Sequence, residues 1–224
     1  MYEELLRRVS IFEGLRDKEI TKLSKLLAEK VFPKDQLIVS HDEVGDSLFI
    51  IVEGRVKVVL FSESGREMIL SIFKKNDFFG EMSLFDNHPR SANVIAMKKS
   101  KVLILKRDDF VDFLKSSPVA TLNILAEMSR RLRRADEIIS NLALLDVYGR
   151  VARVLLHLAD QEGKEVEDGL AIHSRPTQQD IASMAGTSRE TVSRALSEFQ
   201  RRGLIETTGR SILLKHAFLL EHSG

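Results

Sequence analysis

Two charged side chains flank a turn in the stretch FFGEMSLFDNHPRSANVIA, residues 78–96. Glu81 follows a glycine, and Arg90 follows Pro89. An arginine beside a turn is most often solvated or paired with a nearby carboxylate, for which Glu81 and Asp86 are the candidates. The alternative is that its guanidinium fork binds an anion, because its planar N–H donors match the oxygens of a carboxylate or a phosphate. On this stretch alone, the solvated or ion-paired arginine is favoured.

A second candidate motif lies near the C-terminus, in the stretch TQQDIASMAGTSRETVSRALSEFQRRGLI. Thr177 and Asp180 form a variant capping box at the start of a first helix, and Ser188 offers an N-cap for a second helix. Gly186 suits the turn between them. The apolar residues fall on the inward faces of both helices: Ile181, Met184, Ala185, Val192, Leu196 and Phe199. The pattern predicts a helix-turn-helix.

The outward side of the second helix carries Arg189, Glu190 and Arg194, near the end that such motifs insert into the major groove. Arginine can donate to O6 and N7 of guanine, and glutamate can accept from N4 of cytosine. The alternative is a surface ion pair between Glu190 and Arg194. The stretch GLIETTGRSILLKH predicts a two-strand wing that turns at residues 208–210. The predicted DNA-binding set is Thr177, Gln178, Ser188, Arg189, Glu190, Thr191, Arg194 and Arg210.

Composition and charge restrict the classes of protein to which these motifs can belong. The chain has 224 residues, a net charge of +1 and no cysteine, which excludes disulfides, thiolate nucleophiles, cysteine-ligated iron–sulfur clusters and zinc ribbons. The stretch MYEELLRRVS lacks the apolar core of a secretory signal, and no apolar run approaches the roughly 20 residues of a membrane helix. Walker loops, nucleophile elbows and zinc-protease motifs are absent from the sequence. We therefore expect a cytoplasmic protein that is not an enzyme, contacts no membrane and has no metal site.

The N-terminal half of the chain must position Glu81 and Arg90. Residues 15–30 have apolar side chains at helical spacing and predict a short amphipathic helix. From residue 31 the sequence changes to short β-branched runs, which are separated by Pro33, Gly45, Gly54 and Gly65. Similar runs, ANVIA and KVLILK, follow residue 91. This pattern predicts a β-sandwich or β-roll that closes near residue 106.

A long helix is predicted next, in the stretch PVATLNILAEMSRRLRRADEIISNLALLD, with Pro118 in its first turn. Apolar residues at alternating steps of three and four form a coiled-coil seam: Leu125, Met128, Leu132, Ala135, Ile139 and Leu142. The seam packs either on the chain's own β-domain or on a second copy of the chain. Arginines on both flanks favour a dimer helix.

Asp146 offers an N-cap for the first helix of a second domain. The acidic stretch DQEGKEVEDG after that helix is expected to be a solvated, exposed loop. The predicted fold class is α+β, with three segments. They are an N-terminal effector-sensing β-roll over residues 1–117, a long dimerisation helix over residues 118–145 and a C-terminal winged helix-turn-helix over residues 146–224.

The order of these elements resembles the CRP/FNR family of bacterial transcription regulators. Three stretches carry the resemblance: FGEMSLFDNHPRSA, NLALLDVYGRVARVLLHLA and TSRETVSRAL. The resemblance implies a sequence-specific DNA-binding regulator whose β-roll is of the cyclic-nucleotide-binding type. It implies no obligatory cofactor.

In the members of that family that bind cyclic nucleotides, a segment called the phosphate-binding cassette holds the ligand, and its motif matches residues 80–91. The resemblance implies that Gly80 lets the backbone approach the sugar-phosphate and that Glu81 accepts a hydrogen bond from the ribose 2′-hydroxyl. It also implies that Arg90 pairs with the cyclic phosphate and that Ser91 donates a further hydrogen bond. The implied effector set is Gly80, Glu81, Met82, Arg90, Ser91, Arg131 and Asp136.

The long helix completes the pocket in members that bind cyclic AMP, and Arg131 matches a family arginine there. Ala135 and Asp136 stand where those members have a threonine and a serine for the base, so the implied effector is cyclic AMP, cyclic GMP or another nucleotide. Binding would act by population shift in a homodimer and set two recognition helices about 34 Å apart. The implied partners are RNA polymerase and double-stranded DNA with pseudo-palindromic, TGTGA-like half-sites.

Three other functions stay open at this stage. A protein of the same fold can act constitutively or sense a non-nucleotide ligand; the missing cysteines disfavour an iron–sulfur sensor, while six scattered histidines leave haem sensing open. A cupin-type enzyme would need clustered metal ligands. Its nearest candidates, His41, Asp42 and Glu43, are consecutive and alternate in direction. A pure interaction protein built on the heptad helix would leave Arg189 and Arg194 without a role.

Overall fold

The computed structural model describes residues 2–222. These residues form two compact units that divide between Arg133 and Arg134. The division lies within the long helix, so each unit contains part of that helix. We describe the two units separately.

The N-terminal unit begins with two short helices, α1 (Glu3–Leu6) and α2 (Asp17–Ser24), separated by a 3-10 turn at Ser10–Phe12. The helix expected over residues 15–30 is therefore shorter than the sequence predicted. It ends at Ser24, because Ala28–Phe32 forms strand β1 and pairs with the last strand of the unit. Long-range strand pairing overrides the local helical pattern there.

Eight strands form two four-stranded antiparallel sheets, with the orders β1-β8-β3-β6 and β2-β7-β4-β5. The remaining strands are β2 (Leu37–Val39), β3 (Ser47–Glu53), β4 (Arg55–Phe61), β5 (Glu67–Lys74), β6 (Phe78–Phe79), β7 (Asn93–Ala96) and β8 (Ser100–Lys106). Buried residues from both sheets form one apolar cluster, which includes Ile51, Val56, Val94 and Val102. The β-roll closes at Lys106, as the sequence predicted.

Three helices follow or interrupt the roll. Helix α3 (Met82–Asp86) lies between β6 and β7, α4 (Arg107–Ser116) follows β8, and α5 (Pro118–Leu144) is the long helix. The first half of α5 buries Ala120 and Ile124 in the core of the N-terminal unit.

The C-terminal unit contains α6 (Val147–Glu162), β9 (Lys164–Val166), β10 (Gly169–Ile172), α7 (Gln178–Ala185), α8 (Arg189–Arg201), β11 (Ile205–Thr208), β12 (Ser211–Lys215) and α9 (His216–His222). The acidic stretch is not the loop that the sequence predicted. It contains the end of α6, strand β9 and the turn that leads into β10; β10 pairs with both β9 and β12, which gives the sheet order β11-β12-β10-β9. A Cβ on Gly169 would lie 2.0 Å from the Leu214 carbonyl oxygen, so glycine permits this close pairing.

The predicted caps of the C-terminal helices are present. The Asp146 carboxylate accepts from the Gly149 N–H at 2.7 Å, and the Thr177–Asp180 capping box is closed from both sides. Gly186 ends α7 in the left-handed conformation, and Ser188 caps α8. Local sequence signals therefore place the start of the second helix, on which the exposed arginines lie.

Candidate functional site

Two glycines allow the backbone to pack directly against the Arg90 side chain. Gly80 has φ +86°, and a Cβ there would lie 2.7 Å from Arg90 Nη1 and 3.1 Å from the Ser47 carbonyl oxygen. A Cβ on Gly45 would lie 2.0 Å from Ser83 Oγ and 2.6 Å from Arg90 Nε. Any larger residue at either position would displace the guanidinium or the backbone around it.

The Arg90 guanidinium is buried, with 7% of the residue exposed, and it is held by neutral oxygen atoms. Its Nη1 donates to the Gly80 carbonyl and to Ser83 Oγ, the latter at 3.0 Å. Its Nη2 donates to the Ser47 carbonyl at 2.8 Å. Burial lowers the pKa of the Arg90 guanidinium, and the negative charges of Asp46, Glu81 and Glu43 oppose that shift. The group stays charged, since arginine does not deprotonate in proteins.

The ion pair that the sequence favoured for Arg90 does not form. Within residues 2–222 no carboxylate lies within ion-pair distance of Arg90; Glu81 pairs with Arg131, and Asp86 faces His88. Neutral carbonyls orient the Arg90 guanidinium without cancelling its charge. The site is therefore a fixed positive charge that an anion would neutralise.

Glu81 lies beside Arg90 and is also buried, with 2% of the residue exposed. Its Oε1 forms an ion pair with Arg131 Nη1 at 2.9 Å, whereas its Oε2 is buried and has no hydrogen-bond partner among the described residues. A buried carboxylate oxygen without a donor is costly. Glu81 thus retains one acceptor for a donor that reaches this site.

Arg131 connects the long helix α5 to the segment that contains Phe78 and Glu81. Its Nη2 donates to the Phe78 carbonyl at 2.8 Å, and its guanidinium packs over the Phe78 ring at 4.5 Å. Its Nε donates to Glu127 Oε1 at 3.1 Å. Burial alone would raise the pKa of Glu127, but hydrogen bonds from Arg130 and Arg131 hold it below its usual value. The Arg131 charge is therefore shared between two carboxylates.

The structure brings Gly80, Glu81, Arg90 and Arg131 together. Met82 and Ser91 are exposed beside them, and the Ser91 hydroxyl donates to Met82 Sδ at 3.7 Å. Asp136 is exposed on the second half of α5.

Sequence reasoning missed several groups that build the cassette. Ser47 and Phe78 act through backbone carbonyls, which leave no trace in side-chain patterns. Ser83 and Glu127 act through side chains. Gly45 was assigned to a turn, and its second role depends on the approach of Arg90 across the fold.

The recognition helix α8 buries Val192, Ala195, Leu196 and Phe199 and leaves Arg189, Glu190 and Arg194 exposed. The alternative considered for these residues, a Glu190–Arg194 ion pair, is not formed, and within residues 2–222 no carboxylate is within ion-pair distance of either arginine. A hydrogen bond from its own N–H lowers the pKa of Glu190, with further contributions from Ser188 and both arginines. The three charged groups are therefore available to a partner.

The other predicted DNA-binding residues lie at the starts of α7 and α8 and in the turn between β11 and β12. Thr177 accepts from the Asp180 N–H at 3.1 Å, Gln178 begins α7, and Ser188 accepts from the Thr191 N–H at 3.2 Å. Arg210 is exposed at the turn between β11 and β12. The Thr177 and Ser188 hydroxyls each accept a capping hydrogen bond. A hydroxyl has two acceptor lone pairs and one donor proton, so each can still contact a phosphate.

Helix α5 has an exposed apolar stripe. Leu132 and Ile139 are each 64% exposed, and Leu125, Ala135 and Leu142 are exposed as well. Met128 differs from the other predicted seam residues, because it is half-buried and packs against the core of the N-terminal unit. Leu122, which the sequence prediction omitted, is 67% exposed and extends the stripe.

Two further properties concern metals and membranes. Among residues 2–222, no group of three or more histidine, aspartate or glutamate side chains is arranged to hold a metal ion. Within the same part of the chain, no helix combines the length and apolar character needed to span a bilayer.

Comparison with known proteins matches both regions of the chain. A cyclic nucleotide-binding domain model matches residues 29–117, and a Crp-like helix-turn-helix domain model matches residues 149–222. The chain is 36% identical over 212 residues to the CRP-like cAMP-activated global transcriptional regulator of Mycobacterium tuberculosis, covering 95% of each protein. It is 36% identical over 185 residues to the cAMP-activated global transcriptional regulator CRP of Escherichia coli, covering 82% of this chain and 87% of that protein.

A solved structure agrees with these matches. A CooA variant from Carboxydothermus hydrogenoformans superposes with a TM-score of 0.80 at 25% identity, covering 95% of this chain and 92% of that one. The order of roll, long helix and helix-turn-helix is therefore shared along nearly the whole chain. The chain belongs to the CRP/FNR family of DNA-binding transcription regulators.

Proposed function

We propose that this protein is a homodimeric transcription regulator whose sequence-specific DNA binding is switched by a cyclic nucleotide held at Arg90. The observation that carries the proposal is the buried Arg90 guanidinium, which neutral oxygens orient and no described carboxylate pairs. A cyclic phosphodiester supplies one negative charge and the oxygens that a guanidinium fork binds. The matched cyclic nucleotide-binding domain supports the same ligand class.

Glu81 favours a nucleotide over a simple inorganic anion as the ligand. Its unpartnered Oε2 is buried within the same site, and a ribose 2′-hydroxyl is a donor that would satisfy it. Arg131 already occupies Oε1. A ligand that engages both Glu81 and Arg90 therefore changes the surroundings of Arg131, and through it the long helix.

This arrangement suggests how the signal acts. A nucleotide that binds one arrangement of the α5 helices better than another would shift the dimer toward that arrangement. The two recognition helices would then fit successive major grooves of a pseudo-palindromic site, about 34 Å apart. Arg189, Glu190 and Arg194 would read TGTGA-like half-sites, with RNA polymerase as a further partner in the cytoplasm.

The effector is tested by calorimetric titration of the purified protein with cyclic AMP, cyclic GMP and cyclic di-GMP. We expect micromolar binding of one nucleotide, lost in Arg90→Gln and retained in Arg66→Gln, an arginine in the β4–β5 turn. DNA affinity is then measured with and without that nucleotide. Equal binding by the Arg90→Gln variant would contradict the assignment of Arg90.

The dimer is tested by sedimentation equilibrium. The exposed stripe on α5 supports a helix pair, because apolar residues at steps of three and four pack into a facing helix. Leu132→Glu is expected to convert the dimer to a monomer and to weaken DNA binding. Glu137→Lys, an exposed change on the same helix outside the stripe, is expected to leave the dimer intact. A dimeric Leu132→Glu protein would contradict the assignment of the stripe.

A second candidate keeps DNA binding but replaces the nucleotide by another signal, such as haem or another non-nucleotide ligand, or by none. It is favoured by Ala135 and Asp136, which lack the hydroxyls of the base-contacting residues implied by the family resemblance. DNA binding that is tight without nucleotide and unchanged by all three nucleotides would support constitutive action. An absorption spectrum of the purified protein tests for haem.

A further inference from the structure

The methionine at the start of α3 differs from the other methionines in its exposure. Met82 is 51% exposed. The other methionines in the described part of the chain are half-buried: Met68, Met97, Met128 and Met184. An oxidant in solution reaches an exposed thioether first, and the product, methionine sulfoxide, is polar. Met82 is therefore the described methionine that is most open to oxidation.

Met82 lies next to the two buried charged residues of the proposed effector site. It directly follows Glu81 in the chain, and Ser91 directly follows Arg90. The Ser91 hydroxyl donates to Met82 Sδ at 3.7 Å, and among the described residues this sulfur is the one hydrogen-bond partner of that hydroxyl. The contact therefore joins the two ends of the segment that carries the site, and it involves the hydroxyl that the family resemblance assigns to the phosphate.

Oxidation of Met82 would change the strength of this acceptor. A thioether sulfur accepts hydrogen bonds weakly, so Ser91 can leave it and donate to a phosphate at little cost. Hydrogen peroxide transfers one oxygen atom to the sulfur: the O–O bond breaks, an S–O bond forms, the sulfur loses two electrons, and the rest of the peroxide leaves as water. The new oxygen carries partial negative charge and accepts strongly. It therefore competes with an anionic ligand for the single Ser91 proton.

We propose that Met82 is an oxidation site, and that its conversion to the sulfoxide by a peroxide lowers the affinity of the effector site for its nucleotide. The inference rests on the proposed function, because it needs a nucleotide phosphate that the Ser91 hydroxyl contacts. The buried Glu81 and Arg90 are not modified, so binding weakens and is not abolished. Methionine sulfoxide reductases convert the sulfoxide back to the thioether. The protein would thus respond to an oxidant as well as to its nucleotide, and reversibly.

The test compares the nucleotide affinity of the full chain before and after treatment with hydrogen peroxide. Calorimetric titration uses cyclic AMP, cyclic GMP and cyclic di-GMP as probes, and mass spectrometry of peptides measures the extent of oxidation at each methionine. We expect Met82 to be oxidised before the half-buried methionines. The affinity for the nucleotide that binds should then fall about tenfold, since one hydrogen bond to a charged group is lost. Treatment with methionine sulfoxide reductases should restore the affinity.

Three variants locate the effect, and each is compared with itself before and after peroxide. Met82→Leu has no sulfur at this position, so its affinity should not fall on treatment. Ser91→Ala should bind more weakly from the start and lose nothing further, because it has no hydroxyl for the sulfoxide to hold. Met97→Leu, a change at a half-buried methionine of the same unit, should remain as sensitive to peroxide as the wild type.

The outcomes separate failure of this inference from failure of the proposed function. An untreated wild type that binds none of the three nucleotides would overturn the proposed function, and the oxidation site with it. Untreated binding that persists unchanged after Met82 is oxidised would overturn the oxidation site alone, as would a Met82 that stays unmodified while half-buried methionines react. If Met82→Leu or Ser91→Ala lost affinity on treatment as the wild type does, the Met82–Ser91 contact would be excluded as the cause.

Discussion

The proposed effector site and the recognition helix both contain arginine, and the structure holds these arginines in opposite ways. Arg90 is buried, and its guanidinium is fixed by the Ser83 hydroxyl and two backbone carbonyls. Arg189 and Arg194 are exposed on α8, with no carboxylate partner in the described chain. A small ligand offers few contacts, so its binding group must be oriented before the ligand arrives. DNA supplies a large charged surface, so flexible exposed arginines can adjust to it.

The same comparison explains where glycine and caps are needed. The proposed effector site depends on the close approach of the backbone at Gly45 and Gly80 to the Arg90 side chain. The helix-turn-helix depends on local caps, since Thr177 caps α7 and Ser188 caps the recognition helix α8. Changes in the first region should act on ligand binding, and changes in the second on stability and base preference.

The largest effect is expected for Gly45→Ala. A Cβ at this position would overlap Ser83 Oγ and Arg90 Nε, and displaced charged hydrogen bonds are worth about 1.5–3 kcal/mol each. We expect about a 100-fold loss of nucleotide affinity, measured by calorimetry. Gly65→Ala is the control, since Gly65 has φ +77° but open space around its Cβ. If the Gly45→Ala variant bound nucleotide with wild-type affinity, the Arg90 side chain would be less tightly held than the arrangement around Gly45 indicates.

The next effect concerns base preference. Arg189→Ala removes an exposed arginine that is free to form a bidentate contact with guanine, worth about 1–3 kcal/mol of discrimination. We expect about a 10- to 100-fold loss on the preferred site and little change on an unrelated duplex, measured by competition binding. Arg201→Ala, whose arginine already pairs with Glu198, is the control. An equal loss on both duplexes would assign Arg189 to phosphate instead.

A smaller effect is expected for the cap of α7. Thr177→Ala removes the acceptor for the Asp180 N–H and should cost about 0.5–2 kcal/mol of unfolding free energy, measured by urea denaturation of the full chain. Thr177→Ser keeps the hydroxyl and should restore most of the stability. If Thr177→Ala weakened DNA binding without changing stability, its hydroxyl would act on phosphate and not on the helix.

The smallest effect is a pH dependence at Asp77. Burial raises the pKa of the Asp77 carboxyl, against the hydrogen bond from the Lys74 N–H. The ionised form therefore costs stability at neutral pH, and this cost disappears as pH falls through the raised folded-state pKa toward the ordinary value near 4. Asp77→Asn should be more stable than the wild type at pH 7 by less than about 1 kcal/mol, and the difference should vanish near pH 4. A difference that grows on acidification would contradict this sign.

Sequence patterns were reliable where structure is local. The capping box at Thr177, the left-handed Gly186 and the cap at Ser188 each involve residues within one or two turns of each other, so their chemistry is visible in the sequence. Patterns failed where a distant segment decides the outcome. Residues 28–30 were predicted as the end of a helix but begin β1, which pairs with β8. The acidic stretch was predicted as a loop but forms β9, which pairs with β10.

The sequence by itself determined the order of roll, long helix and helix-turn-helix, and the positions of Arg90, Arg189 and Arg194 within them. Only the tertiary structure decided what those arginines can do. Arg90 donates to the Ser47 carbonyl, whereas Glu81 pairs with Arg131, and sequence distance reports neither contact. Arg175 and Arg210 show the same limit, because they are in contact only when the turn between β11 and β12 packs on the segment before α7. A charge acquires its role from burial and neighbours, which the chain brings together only on folding.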